Sequence, residues 1–202
     1  MSALPHLDPS APQERVRVRS LRPEDAARVG QLTLAGYDRY GRIEGPYRDH
    51  LADPLQRIDG CTALLVAELD GEVVGTVTFV LPGDREWEGR AEPQGDASFR
   101  MLAVAPTAEG HGVGRALVAA CIGLARGQGC RRLVIVTMAW MGRAQRMYAR
   151  LGFRRRPDLD VRFPSGDGYV LTLDLTPDAH QHFPLPGPTP DPLPWFTEVW
   201  AG

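Results

Sequence analysis

The sequence predicts an α/β (α+β) domain, a mixed central β-sheet of about six to seven strands flanked by helices. Two observations carry that prediction. Residues 61–81, "CTALLVAELDGEVVGTVTFVL", hold two β-rich runs around Asp70-Gly71, a favoured two-residue hairpin turn. Residues 97–138 run strand, helix, strand, with "ASFRMLAV" and "RRLVIVTM" on either side of "GVGRALVAACIGLARGQG". Such a βαβ unit makes its two strands parallel. An antiparallel hairpin followed by a parallel pair requires a mixed sheet.

The elements follow in order. "RVRVRSL" (15–21) alternates Arg with Val and Leu, the period of a strand with one buried face. In "RPEDAARVGQLTLAGYDRYG", Pro23 marks a helix start, Glu24 and Asp25 suit its positive end, and Ala27, Leu32 and Leu34 supply apolar positions. Residues 46–59 read as a second short helix interrupted around Pro54. The hairpin comes next, then a Gly-, Pro- and charge-rich loop at 82–95. The strand at 97–104 leads into a helix with Leu117, Cys121 and Leu124 on one face, ended by Gly127 or Gly129. After the buried strand at 131–138, "MGRAQRMYARLG" (141–152) is a helix with Ala144, Met147, Tyr148 and Leu151 on one stripe. "GYVLTLDL" (168–175) is the last strand. Residues 1–14 read as a flexible tail and 15–176 as the folded domain. Residues 177–202 read as a Pro- and aromatic-rich tail whose Trp195, Phe196 and Trp200 suit docking.

Composition narrows the function classes. The chain has 202 residues and a net charge of −2, so nothing points to nucleic acid as a partner. All 23 basic residues are arginine, which excludes the lysine-dependent Walker A phosphate loop. Cys61, Cys121 and Cys130 are odd in number and lack C-x-x-C spacing, which reads as reduced, structural thiols. "MSALPHLDPSAPQER" has no signal-peptide pattern, and no apolar run approaches the ~18 residues of a membrane span. The expectation is a cytoplasmic protein with no membrane partner. His180 and His182 form H-x-H without further ligands in reach, so no metal site is expected.

The chemistry-bearing stretch is "RMLAVAPTAEGHGVGRAL", with Gly110, Gly112 and Gly114 at the mouth of a helix. A helix N-terminus offers unpaired N–H groups and partial positive charge, and phosphate is its natural occupant. Glycines let the backbone approach such an anion. The spacing misses the dinucleotide fingerprint G-x-G-x-x-G, because the sixth position is Arg115 from Gly110 and Leu117 from Gly112. A glycine-rich turn without a ligand is the alternative reading of these residues alone.

Two segments together resemble the GNAT superfamily of N-acetyltransferases. "LAVAP" (102–106) followed by "EGHGVGRAL" (109–117) is similar to its motif A, (Arg/Gln)-x-x-Gly-x-(Gly/Ala). "RAQRMYARLGF" (143–153) is similar to its motif B, with Ala144, Tyr148, Gly152 and Phe153 in matching positions. The resemblance spans roughly residues 15 to 175 and implies acetyl-CoA as cosubstrate. It implies that Glu109, Gly110, His111, Gly112, Val113, Gly114 and Arg115 surround the CoA pyrophosphate. It implies that Leu102, Ala103 and Val104 hold the pantetheine arm like an added strand, with an N–H near Val104 on the thioester oxygen. Tyr148 matches the family's general acid for the departing thiolate.

Three departures stand out. Glu109 replaces an Arg or Gln, and is expected to face solvent or pair with Arg115. Met141 replaces a frequent Asn. Ser98 stands where many members carry a glutamate base, which leaves Asp96, two residues earlier on the same strand face, as a base acting through water. His111 reads equally as a phosphate contact or a solvent-facing side chain. The arginine run 154–156 reads as a solvated strand end or a contact for the 3′-phosphate. Trp140 and Met141 read as a pocket wall or as core. The carboxylates Asp84, Glu86, Glu88 and Glu92 beside Trp87 read as a surface loop or as recognition of a cationic amine. The expected function is acetyl transfer from acetyl-CoA to a small-molecule or peptide amine. The alternative is a non-catalytic acetyl-CoA-binding regulatory protein. A homodimer is compatible with either.

Overall fold

A computed structural model of the chain describes residues 16–41, 43–87, 95–163 and 165–175. Both expected tails, Glu88, Glu92, His180 and His182 lie outside the described residues. The strands are β1 (Arg17–Ser20), β2 (Ala63–Leu69), β3 (Glu72–Val80), β4 (Asp96–Val104), β5 (Arg132–Met138), β6 (Arg154–Arg155), β7 (Val161–Phe163) and β8 (Gly166–Asp174). They form one mixed sheet in the order β1-β2-β3-β4-β5-β8-β6, with β7 paired to β8. The helices are α1 (Ala26–Asp38), α2 (Pro46–Ala52), α3 (Pro54–Ile58), α4 (Val113–Gly127) and α5 (Gly142–Arg150). Strands β6 and β7 exceed the six legible in the sequence. At two and three residues, neither is long enough to show alternation.

Local chemistry explains the elements that were legible. Asp70 (φ 53°) and Gly71 (φ 85°) both take left-handed conformations, as a type I′ hairpin turn requires. Leu117 and Cys121 of α4 are fully buried, joined by Val113, Val118 and Ala125 on the same face. They pack on Phe79, Leu133 and Ile135 of the sheet in one apolar core. α5 lays Ala144, Met147, Tyr148 and Leu151 against that core, as its spacing predicts. Burial pushes the Cys61 thiol up to about 11 and raises Cys121 and Cys130 as well, so all three are poor nucleophiles at neutral pH. Among the described residues, no helix is long and apolar enough to cross a membrane.

The start of α1 differs from expectation. Ala27 is exposed, and Val29 is the residue buried in that turn. Asp25 does more than complement a helix dipole. It is buried, accepts the Arg22 N–H at 2.8 Å, and takes both guanidinium nitrogens of Arg19 at 2.5 and 3.0 Å. Arg19 also donates to Glu68 at 2.7 Å, which ties β1, β2 and α1 together. The Arg19 hydrogen bonds hold the Asp25 carboxyl below the ordinary carboxylate range, against the upward push of burial. A depressed value gives stability that is complete above the unfolded value of ~3.9 and lost as pH falls through the folded one. Asp25→Asn therefore costs about 2 kcal/mol at pH 7. In thermal unfolding from pH 7 to pH 2, the gap between wild type and variant holds down to about pH 4 and then closes.

Candidate active site

β4 is the element that builds the site. Its register against β3 runs Val104 to Gly75, Ala103 to Thr76 and then Arg100 to Thr78, so Met101 and Leu102 stand opposite the single residue Val77. Met101 takes a left-handed conformation (φ 52°) in this bulge, which bends the strand. On its other side β4 is parallel to β5, as the βαβ pattern predicts. That pairing covers only Asp96 to Arg132 and Ala97 to Leu133. Beyond Ala97 the strands diverge, and the β5-facing edge of β4 has no strand partner.

A cleft of about 820 Å³ fills the gap, with Phe99–Val104 on one side and Ile135–Thr137 on the other. That is ample for a coenzyme-sized ligand. One end is closed by the glycine turn and the start of α4. Gly110 (φ 90°) and Gly112 (φ 80°) both need the left-handed region, and a Cβ built on either meets nothing within 4 Å. Those glycines therefore leave room for a ligand against the backbone. The first intrahelical bond of α4 is Ala116 N–H to Gly112 O at 2.9 Å. The N–H groups of Val113, Gly114 and Arg115 precede it and have no intrahelical acceptor.

The expected cofactor residues Leu102, Ala103, Val104, Glu109, Gly110, Gly112, Val113, Gly114 and Arg115 all line the cleft, and so does Tyr148. His111 is exposed and does not line it. Tyr148 is 6 % exposed and packs its ring against Phe99 and Phe153, with centroids 5.9 and 5.5 Å apart. Burial pushes its phenol well above the ordinary tyrosine value, so it stays protonated throughout the neutral range.

The two expected base positions are not brought to the cleft. Asp96 sits at the closed end of the splay, 4 % exposed, in a two-pronged pair with Arg132 at 2.7 and 3.1 Å. Both of its oxygens accept from that one guanidinium. Ser98 lies one residue past the last β4–β5 rung and does not line the cleft either.

The charges of the cleft correct three further expectations. Glu109 does not pair with Arg115. It accepts from Arg39, beyond the end of α1, at 2.8 Å and from Arg143 of α5. The Arg39 hydrogen bond holds its carboxyl below the ordinary value, against burial, with help from Arg143. The carboxylate is thus outweighed by two guanidinium groups. In the run 154–156, Arg154 is exposed, as the solvated strand-end reading expects, whereas Arg155 pairs with Asp160 and lies over the Tyr169 ring, and Arg156 pairs with Asp158 at 2.5 Å. The loop carboxylates Asp84 and Glu86 turn inward. Asp84 accepts from Thr62 and from the Leu81 N–H, while Glu86 is buried against His50 and Arg100. Met141 lines the cleft; Trp140 is 41 % exposed and outside it.

Among the described residues, six arginines line the cleft (Arg39, Arg100, Arg115, Arg143, Arg146 and Arg150), against one carboxylate, Glu109. Arg143, Arg146 and Arg150 are spaced i, i+3, i+7, one face of α5. That basic stripe was readable in the sequence. Arg39 gave no signal, because its partner lies 70 residues away.

The model of the acetyltransferase (GNAT) family matches residues 32–153. The chain belongs to that family. It is 34 % identical over 155 residues to a mycothiol acetyltransferase from Cellulomonas flavigena, a match covering 73 % of this chain and 43 % of that protein. The chain thus spans less than half the length of this curated relative. A GNAT family acetyltransferase from Brucella melitensis, solved in complex with acetyl-CoA, superposes with a TM-score of 0.54 at 27 % identity, covering 83 % of this chain and 93 % of the other. The yncA protein of Salmonella typhimurium, a GNAT-fold neighbour solved with acetyl-CoA, has a TM-score of 0.60 at 20 % identity, covering 83 % and 98 %. The mixed sheet and flanking helices are those of the GNAT fold.

Proposed function

We propose that this GNAT protein transfers the acetyl group of acetyl-CoA to a primary amine of a small molecule or peptide, by direct attack of the amine on the thioester. The observation that carries this reading is the cleft itself. The unpaired edge of β4, the α4 N-terminus and the buried Tyr148 hydroxyl-bearing ring all line one cavity.

The residues fit the ligand. The amides from Gly110 to Arg115 would hold the pyrophosphate, with α4's dipole and the arginine rim adding positive charge. The edge of Leu102–Val104 would pair with the pantetheine amides as a neighbouring strand does. A Val104 N–H would stabilise the oxyanion developing on the thioester. Tyr148 would hold its proton for the departing sulfur. Burial raises the proton affinity of a departing thiolate in the same surroundings as well, so the thiolate stays a competitive acceptor for the phenol's proton. An α-amino group, with a value near ~8, is partly neutral at pH 7 and needs less help from a base than a lysine-like amine at ~10. The neutral amine nitrogen would bond to the acetyl carbon as the carbon–sulfur bond breaks; the sulfur would take the Tyr148 proton and leave as the CoA thiol, and the proton lost from nitrogen would pass to water, from which Tyr148 recovers its own.

A panel of amines with acetyl-CoA, followed by release of free thiol, tests the reading. Turnover of at least one primary amine is expected. Acetyl-CoA binding with no thiol release from any amine would instead favour a regulatory CoA-binding protein.

A further inference from the structure

One buried hydroxyl of the cleft wall has no protein partner. Thr137, on β5, lines the cleft and is 3 % exposed. Its Oγ1 is buried, and among the described residues it has no hydrogen-bond partner. Buried polar groups are normally paired, and an unmade hydrogen bond is costly. Successive residues of a strand point to opposite faces. Leu133 and Ile135 are buried in the core that holds Phe99 and Tyr148, so the Thr137 side chain falls on that same face of β5. Phe99, Ile135 and Tyr148 line the cleft beside it. The hydroxyl and methyl of threonine share one Cβ, so a single χ1 rotation exchanges their places.

The position of this hydroxyl says what it suits. β5 presents Ile135, Val136 and Thr137 to the cleft, and of these Thr137 alone has a polar side chain. The cationic groups and the glycine turn, which suit phosphate, lie on other elements. A lone neutral hydroxyl on a strand wall suits a neutral polar group. In a trans amide the N–H and C=O point in opposite directions. An amide that pairs with the β4 edge through one of them therefore turns the other away from β4. The wall on that other side is β5. A hydroxyl both donates and accepts, so it can serve either group.

We propose that the Thr137 hydroxyl binds the pantetheine arm of acetyl-CoA, pairing with the amide group that faces away from β4, so that the arm is held from both walls of the splay. This rests on the acetyl-transfer reading, because it concerns the cosubstrate of that reaction. The partner of the hydroxyl arrives with the ligand, and the fold itself does not depend on it. The thioester sulfur is too weak an acceptor to take its place.

The test is calorimetric titration of the intact chain with two ligands, acetyl-CoA and 3′-phospho-ADP, which carries the nucleotide and phosphates without the pantetheine arm. Thermal unfolding of the same proteins is measured without ligand. Thr137→Val keeps the shape of the side chain and replaces the hydroxyl by a methyl. It is expected to bind acetyl-CoA ~10-fold more weakly and 3′-phospho-ADP as the wild type does. Its Tm is expected to equal or exceed that of the wild type, because a buried unpartnered hydroxyl has been removed. Thr137→Ser, which keeps the hydroxyl, is expected within ~3-fold of the wild type for both ligands. Undiminished acetyl-CoA affinity in Thr137→Val would overturn the proposal and leave the transferase reading intact. So would an equal loss for both ligands, a lowered Tm or a failure of Thr137→Val to fold, each of which would make the hydroxyl structural. No acetyl-CoA binding by the wild-type chain would remove the transferase reading itself, and the proposal with it.

Discussion

Gly112→Glu abolishes acetyl-CoA binding, with affinity falling ~100-fold or more. Two effects act together. Gly112 has φ 80°, a conformation that costs a residue with a Cβ about 1 kcal/mol. The larger effect is electrostatic. The new carboxylate stands at the N-terminus of α4, on a turn where a Cβ meets no protein atom and points into open space. Two unit charges ~4 Å apart near a protein surface repel by about 4 kcal/mol. Gly112→Ala separates the contributions, since it carries the strain without the charge. It should lose about 1 kcal/mol of stability and less than ~10-fold in affinity. Calorimetric titration with acetyl-CoA reads both variants. Unchanged affinity in Gly112→Glu would remove the glycine turn as the phosphate seat.

Tyr148→Phe slows turnover ~100- to 1000-fold, the usual worth of one general acid, and leaves acetyl-CoA affinity within ~2-fold. The variant keeps the ring that packs between Phe99 and Phe153, so stability changes little. Only the hydroxyl is lost. Because burial raises the phenol, the wild-type pH–rate profile should show no loss of the acid below pH ~10, and any limb near neutrality belongs to the amine. Equal rates for wild type and variant would leave Tyr148 as a core aromatic.

What the sequence disclosed, and what it did not, follows the range of the forces involved. The hairpin at Asp70-Gly71 was legible because a turn is decided by two adjacent residues. The glycine turn and α4 were legible for the same reason, and the stripe Ala144, Met147, Tyr148, Leu151 because a helix repeats its face. The splay between β4 and β5 was not legible. It arises where the pairing ends after Ala97 and β4 bends at Met101, and nothing in "SFRMLAV" marks a methionine for a left-handed conformation. Charge partners were misjudged by the same logic. Glu109 was matched to Arg115 nearby in sequence, whereas the fold brings it Arg39 from 70 residues away and Arg143 from 34. Asp96 looked available until β5 supplied Arg132. Arg57, in a five-residue helix with exposed neighbours, gave no sign of being buried.

The account also gives the departures from the family pattern a physical sense. A glutamate at position 109 would repel a pyrophosphate if it stood alone. Paired with Arg39 and Arg143, it holds two cations at the rim from the end of α1 and the start of α5. Where the motif carries one Arg or Gln, this chain thus gathers two cations from distant segments.

The central claim is that the splay between β4 and β5 seats acetyl-CoA with its pyrophosphate on the α4 N-terminus and its thioester beside Tyr148. A crystal structure of the chain with acetyl-CoA measures this directly. The account predicts pyrophosphate oxygens within hydrogen-bond distance of the amides between Gly110 and Arg115, and the sulfur facing the Tyr148 hydroxyl. Pyrophosphate bound elsewhere, or a thioester on the far side of β4 from Tyr148, would contradict it.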